Sequence, residues 1–219
     1  MDPADNSFYE GKMAGILVEF LEVAITSIVY MKGIYPAGAF ERRRYLNLVV
    51  HEVRHPALRE YIHSAVSGLK PFIQKGSIER VAVIFSNNVN MTLERFIFKL
   101  AAKQSSDPSS ETDALESSLR SFLTKLQVCQ AQSAALPKDC RWEITGYFRS
   151  LPEDGPSKEG DSPLWVATGM SQWQSPPLIT PIKSMSNGTL SLQLYLERNR
   201  RSQPSNAVQE QLKDPASAG

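Results

Sequence analysis

Three residues have the types and the spacing of a metal site. His51, Glu52 and His55 form the pattern His-Glu-x-x-His. In zinc proteases this pattern lies on a helix, where both histidines bind zinc and the glutamate activates the metal-bound water. The residues that lead into the pattern here are β-branched and apolar and predict a strand, in which the two histidines lie about 13 Å apart. Pro56 also disfavours a helix at His55, because a residue before proline is pushed out of the helical region. We therefore interpret His51 as a strand-end residue and place His55 near the start of the next helix.

No second signal in the sequence supports catalysis. An extended zinc-protease pattern needs glycine at Leu58 and histidine at Tyr61, and His63 is the one remaining histidine. The sequence has no phosphate-binding glycine loop, no Gly-x-Ser-x-Gly motif and no Cys/His nucleophile signal. We therefore predict a binding module, not an enzyme, with no metal and no cofactor. A zinc hydrolase is the alternative from a different class.

The composition is that of a globular domain. The chain has 219 residues, of which 42% are hydrophobic, so it can build a large core. A net charge of +1 offers no reason to expect direct nucleic-acid binding. Cys129 and Cys140 lack metal-ligand spacing, which indicates reduced thiols in an intracellular protein. The N-terminus is polar and acidic, unlike a secretory signal.

One apolar segment, from Met13 to Met31, has about the length that a membrane span needs. Polar residues recur along it at helical spacing, at Glu19, Glu22, Thr26 and Tyr30. The apolar residues form a broad face opposite this narrow stripe. The pattern predicts a buried core helix and no membrane contact.

The remaining pattern predicts an α+β fold with helices packed on one side of a mainly antiparallel sheet. The basic run at 41–44 is interpreted as a solvated loop or edge. Pro71 is expected to kink the second helix and Gly76 to close it. We expect disorder at 1–12 and in a tail at 201–219. The predicted elements, in order, are a helix at 13–33, a strand at 45–53, a helix at 55–76, a hairpin at 78–100, a helix at 111–134, a strand at 141–148, a proline-rich extended arm at 150–185 and a strand at 190–197.

Several motifs resemble those of a known family. The segment at 20–40 resembles the first helix and turn of HORMA-domain proteins, the segment at 79–100 their central hairpin, and the segment at 119–126 their third helix. The motifs HPALREYIHSAVSGLKPFI, SPLWV and LITPIKSM, the last followed by LQLYLE, are similar to one group of that family. This group is the HORMA accessory subunits of DNA polymerase zeta, or mitotic-arrest-deficient-like type B proteins. The resemblance covers about 13–197.

The resemblance implies a fold and a mechanism. It implies a HORMA domain at 13–200, in which 150–197 form a safety belt and the C-terminal strand. The belt wraps over a short peptide of a partner, and the peptide adds to the sheet as a strand. The implied partners are the catalytic subunit of DNA polymerase zeta, the Rev-one polymerase and a second HORMA protein in a homo- or heterodimer. The implied role is a nuclear adaptor in translesion synthesis; the alternative is a spindle-checkpoint or meiotic-axis HORMA protein.

The resemblance also assigns roles to individual residues. Each of them would otherwise be read as ordinary core or as a solvated charge. The positions matching the family's partner-peptide pocket are Tyr61 and Trp165. Those matching its docking face for the Rev-one polymerase are Ile179, Gln193 and Tyr195. Those matching its dimer interface are Arg42, Arg120 and Ala131.

Overall fold

The structure, a computed structural model, describes residues 3–102, 111–130, 136–137, 139–149, 173, 175–186 and 190–199. The described residues form four helices and seven strands. The helices are α1 (Pro3–Met31), α2 (Pro56–Ser67), α3 (Lys70–Gln74) and α4 (Glu111–Gln130). The strands are β1 (Phe40–Tyr45), β2 (Leu48–Val53), β3 (Ile78–Ser86), β4 (Thr92–Ala102), β5 (Arg141–Phe148), β6 (Leu178–Ser186) and β7 (Leu190–Arg198).

Five of the strands form one antiparallel sheet in the order β5-β3-β4-β7-β6, and β1 and β2 form a separate hairpin. Helices α1, α2 and α4 pack with one face of the sheet into a single apolar core. The predicted α+β class, with helices on an antiparallel sheet, is therefore confirmed. The edges of the described sheet are β5 and β6, which lie at opposite ends.

Helix α1 is the centre of the core, since it contacts the other three helices and β2. The ring of Phe20 meets Phe98 of β4 and Phe122 of α4 edge to face, at centroid distances of 6.2 and 6.0 Å. The segment Gly11–Met31 is long and apolar enough to cross a membrane by length and composition. Its apolar face is nevertheless buried inside this domain, as the polar stripe predicts.

The opposite face of the sheet, here called the outer face, carries a second and smaller apolar cluster. It is formed by Ala82, Ile84 and Ile97, with Tyr147 and Tyr195 packed against them. These residues alternate along their strands with the residues of the main core, because successive side chains of a strand point to opposite faces. The sequence pattern predicted helices on one face of the sheet and did not indicate this second cluster.

Two elements differ from the predictions. The helix predicted to begin at residue 13 begins at Pro3 in the structure, and proline is well tolerated in the first turn of a helix. The proline-rich arm contains the regular strand β6. The basic run at 41–44 is exposed on β1, an edge strand of the β1–β2 hairpin, in agreement with the second of the two predicted placements. The predicted tail at 201–219 lies outside the described residues.

The β1–β2 hairpin is formed by a turn that was not predicted from the sequence. Leu46 and Asn47 both have positive φ, of 47° and 58°, between the paired residues Tyr45 and Leu48. Positive φ at both central residues is the pattern of a type I′ turn, whose twist matches that of the flanking strands. Leucine is an unusual residue at such a position, so local composition did not signal this turn.

Candidate functional site

The zinc-protease pattern does not form the helical geometry that its chemistry needs. His51 lies on β2 and stacks on the ring of Tyr30, with centroids 3.5 Å apart and planes 15° apart. Burial lowers the pKa of His51, and the nearby Arg42 lowers it further. His55 is the N-cap of α2 and has extended backbone, as Pro56 predicts.

The glutamate of the pattern, Glu52, forms an ion pair with another residue. Glu52 accepts a hydrogen bond of 3.0 Å from Arg43 across the β1–β2 hairpin. His63, the third histidine, lies 3.1 Å from Glu22 of α1. In the part of the chain that the structure describes, no group of three His, Cys, Asp or Glu side chains is placed to hold a metal ion. These residues therefore have structural contacts of their own.

The first candidate site is the edge strand β5 beside helix α2. The backbone N–H of Ile144 donates a hydrogen bond of 3.3 Å to the hydroxyl of Tyr61. The ring of Tyr61 packs edge to face on Trp142, at a centroid distance of 5.3 Å. Trp142 in turn donates a hydrogen bond of 3.0 Å to the hydroxyl of Tyr35. Tyr61 is 42% exposed, and its partial burial raises the pKa of its hydroxyl.

The hydrogen bond from Ile144 shows which backbone groups of β5 point away from β3. Ile144 is paired with Val83 of β3, but its N–H points to Tyr61, away from that strand. In an antiparallel pair the outward-facing backbone groups belong to alternate residues, so Trp142 and Gly146 face the same way. Tyr61 therefore lies beside a row of outward-pointing backbone groups at an edge of the described sheet. Such a row can accept a further strand.

The second candidate site lies at the opposite edge, on β6 and β7. Ile179, Gln193 and Tyr195 line one cavity of about 670 Å³, so the structure brings together three residues predicted to act together. Lys99 and Lys183 also line it. The side chain of Ile179 is 56% exposed. Burial raises the pKa of the Tyr195 hydroxyl.

The structure describes two of the three residues that were predicted to lie in a dimer interface. Arg42 is exposed on β1, and Arg120 is exposed on α4. Helix α4 contacts the hairpin that contains β1, because Gln127 of α4 donates a hydrogen bond of 2.7 Å to the carbonyl oxygen of Val49 in β2. Ala131 and Trp165 lie outside the described residues.

Neither Trp142 nor Ile144, which complete the environment of Tyr61, was predicted from the sequence as a site residue. The alternation of β5 assigns both residues to one face, and that signal was available. It could not show that this face meets Tyr61, because the contact joins residues 83 positions apart.

Comparison with known proteins identifies the family. The HORMA domain matches residues 15–152. The chain is 55% identical to the DNA polymerase zeta processivity subunit of Arabidopsis thaliana over 90% of this chain and 91% of that protein. It is 30% identical to the mitotic spindle assembly checkpoint protein MAD2B of Homo sapiens over 84% of this chain and 90% of that protein. These names denote a processivity subunit and a checkpoint protein, not enzymes.

Solved structures confirm the fold. A chain of the mitotic checkpoint complex matches with a TM-score of 0.69 and 16% identity, over 86% of this chain and 96% of that chain. HTP-1 of C. elegans bound to the HIM-3 closure motif matches with a TM-score of 0.69 and 10% identity, over 86% and 91%. The sequence relatives and the shared fold together show that this chain is a non-catalytic member of the HORMA-domain family, in the group of the DNA polymerase zeta processivity subunits and MAD2B proteins.

Proposed function

We propose that the chain is an adaptor that clamps a peptide of the catalytic subunit of DNA polymerase zeta and connects it to the Rev-one polymerase. The observation that carries the first half is the edge of β5. There, the outward-facing N–H of Ile144 and the half-exposed Tyr61 lie side by side. A peptide strand added along this edge would gain backbone hydrogen bonds, and the ring of Tyr61 would contact its side chains.

The strand order supports this place for the peptide. The C-terminal strand β7 pairs with β4, and β6 pairs with β7, so both lie at the end of the sheet opposite β5. The edge of β5 is therefore not taken by the C-terminal strands. A HORMA relative of the same fold, HTP-1, is bound to a closure motif in its solved structure. We propose the same mode of binding here, with a belt at 150–197 passing over the peptide and Trp165 covering it.

The second half of the proposal concerns the cavity on β6 and β7. Ile179 is an exposed apolar anchor, and Gln193 and Tyr195 supply polar groups beside it. Tyrosine is one of the residue types that are enriched in protein-binding hot spots. We assign this surface to the Rev-one polymerase, and we assign Arg42, Arg120 and Ala131 to contacts with a second HORMA protein. The expected place of action is the nucleus, in translesion DNA synthesis.

The direct test is a binding titration of the full chain with a labelled peptide from the catalytic subunit of polymerase zeta. We expect saturable binding and slow release, and no binding of a scrambled peptide of the same composition. A failure of the intact chain to prefer the native peptide would contradict the clamp. Competition between the polymerase peptide and a spindle-checkpoint peptide tests the alternative function, because both peptides would bind to the same edge of β5. The checkpoint peptide should displace the polymerase peptide only weakly.

The docking surface gives a separate prediction. Ile179→Ala and Tyr195→Ala should each weaken binding of the Rev-one polymerase by at least about tenfold, or about 1.4 kcal/mol, because each removes a contact at the centre of the surface. Neither change touches the edge of β5, so peptide binding should remain at the wild-type level. Surface plasmon resonance with both ligands measures the two effects. Val89→Ala is the matched control, since Val89 is an exposed apolar residue in the β3–β4 loop. Equal Rev-one binding by all three variants would reject this surface.

A further inference from the structure

Trp173 packs on the outer face of the sheet against Arg95 and Glu197, and these two residues are here called its seat. The guanidinium carbon of Arg95 lies 4.7 Å from the centre of the Trp173 ring. The indole N–H of Trp173 donates a hydrogen bond of 3.1 Å to Glu197. Arg95 is only 8% exposed, and its guanidinium lies 3.7 Å from the same carboxylate. A cation stacked on an indole is more strongly attracted when both are withdrawn from water.

The seat is made by two different strands. Arg95 belongs to β4 and Glu197 to β7, and the two residues are directly paired across the sheet. They lie on the outer face, because they alternate with the same parity as Ile97 and Tyr195 of the outer apolar cluster. Trp173 belongs to neither strand. It lies in the chain shortly before β6, so its contacts tie that segment to both β4 and β7.

The seat depends on the register of the C-terminal strand. A slip of β7 by one residue would move Glu197 to the other face of the sheet and dismantle the seat. The neighbouring pair reinforces this register, because Arg198 donates a hydrogen bond of 3.0 Å to Glu94, its partner across the sheet. Trp173 can therefore occupy its seat only when β7 is paired with β4 as described.

We propose that Trp173 is a latch that holds the β6–β7 hairpin, and the chain entering it, against the central β3–β4 hairpin. The latch acts from the face of the sheet that the helices do not cover. Its role in peptide retention rests on the proposed function. A peptide clamped at β5 leaves when the C-terminal segment loosens, so the latch slows release and has little effect on the first encounter.

A test without any peptide measures backbone hydrogen exchange of the free chain by mass spectrometry. Trp173→Ala should accelerate exchange in β6 (Leu178–Ser186) by about tenfold or more, while β3 (Ile78–Ser86) keeps its wild-type protection. Strand β3 is an internal control, because it is an interior strand between β5 and β4 and is not paired with β6 or β7 in the sheet. Unchanged exchange in β6 overturns the latch. Equal acceleration in β3 also overturns it, since Trp173 would then support the whole fold.

Two conservative variants separate the parts of the seat. Trp173→Phe keeps a ring over Arg95 but loses the N–H donor to Glu197. Glu197→Gln keeps an oxygen that can accept this hydrogen bond but removes the charge facing Arg95. Both should give exchange rates in β6 between those of the wild type and Trp173→Ala. If Trp173→Phe exchanges as slowly as the wild type, the hydrogen bond to Glu197 has no part in the latch.

Peptide release then tests the link to function. From a preformed complex with the polymerase zeta peptide, Trp173→Ala should release the peptide several-fold faster than the wild type. If the wild type does not bind the peptide, the proposed function fails, and the exchange result still decides the latch. If the wild type binds and both proteins release the peptide at the same rate, the clamp stands and the role of the latch in retention is rejected.

Discussion

Replacing Tyr61 with alanine is expected to weaken binding of the polymerase zeta peptide by about 2 kcal/mol, or roughly 30-fold in Kd. The change removes the ring that packs on Trp142 at the edge of β5. It also removes the hydroxyl that accepts the hydrogen bond from Ile144. The ring lies where a peptide strand would be added, so its loss should fall on binding. Fluorescence anisotropy with the labelled peptide measures it.

Tyr61→Phe is the matched control, because it keeps the ring and loses only the hydroxyl. A carbonyl of the bound peptide could replace that hydroxyl as the acceptor for Ile144, so we expect a loss of less than about threefold, or under 1 kcal/mol. Tyr61 is 42% exposed, and the thermal unfolding of both variants should remain near that of the wild type. Wild-type affinity in Tyr61→Ala would remove Tyr61 from the peptide site.

Glu94→Gln is expected to lower the free energy of unfolding by about 3 kcal/mol, the largest effect on stability that we predict for a polar residue. Lys32, the residue directly after α1, and Glu94, on β4, form a buried ion pair in which they are only 6% and 4% exposed. Burial lowers the pKa of Lys32, and the adjacent carboxylate of Glu94 opposes that shift. The amide of glutamine cannot neutralise the buried ammonium group.

The same carboxylate also binds Arg198 at the end of β7, so this change weakens the attachment of the C-terminal strand as well. Urea unfolding at constant pH measures the effect. The matched control is Glu79→Gln, which breaks a partly exposed ion pair with Arg80 and should change stability by less than about 0.5 kcal/mol. The double variant Lys32→Met/Glu94→Gln should lose less than the sum of its two single changes. Equal stability of Glu94→Gln and Glu79→Gln would contradict this account.

Much of the secondary structure followed from local patterns. The apolar spacing of α1, the alternation of β7 and the proline at the start of α2 each depend on residues within a few positions of one another. The end of α1 was predicted from Gly33, whose φ of +64° suits glycine. The β1–β2 hairpin was missed, because its turn uses Leu46 and Asn47 in a conformation that leucine rarely adopts.

The residues of the candidate sites were not predicted from local patterns. Tyr61, Ile179, Gln193 and Tyr195 were singled out by similarity of motifs to a known family, since their types and spacing alone are equally typical of a core. The structure places the last three around one cavity and puts Tyr61 beside an edge strand. Trp173 was not singled out. A tryptophan in a proline-rich segment gives no sign of its partners, because Arg95 and Glu197 are distant in the chain.

By itself, the sequence determined which parts of the chain are mainly helical and where most strands lie. It also determined that His51 and His55 could not share a helical face, since Pro56 acts on its immediate neighbour. Only the tertiary structure decided which strands are edges, which backbone groups of β5 point outwards and what Trp173 contacts. The physical reason is that local conformation depends on neighbouring residues, whereas strand order and register depend on hydrogen bonds between distant segments. Those segments are selected by how the whole core packs.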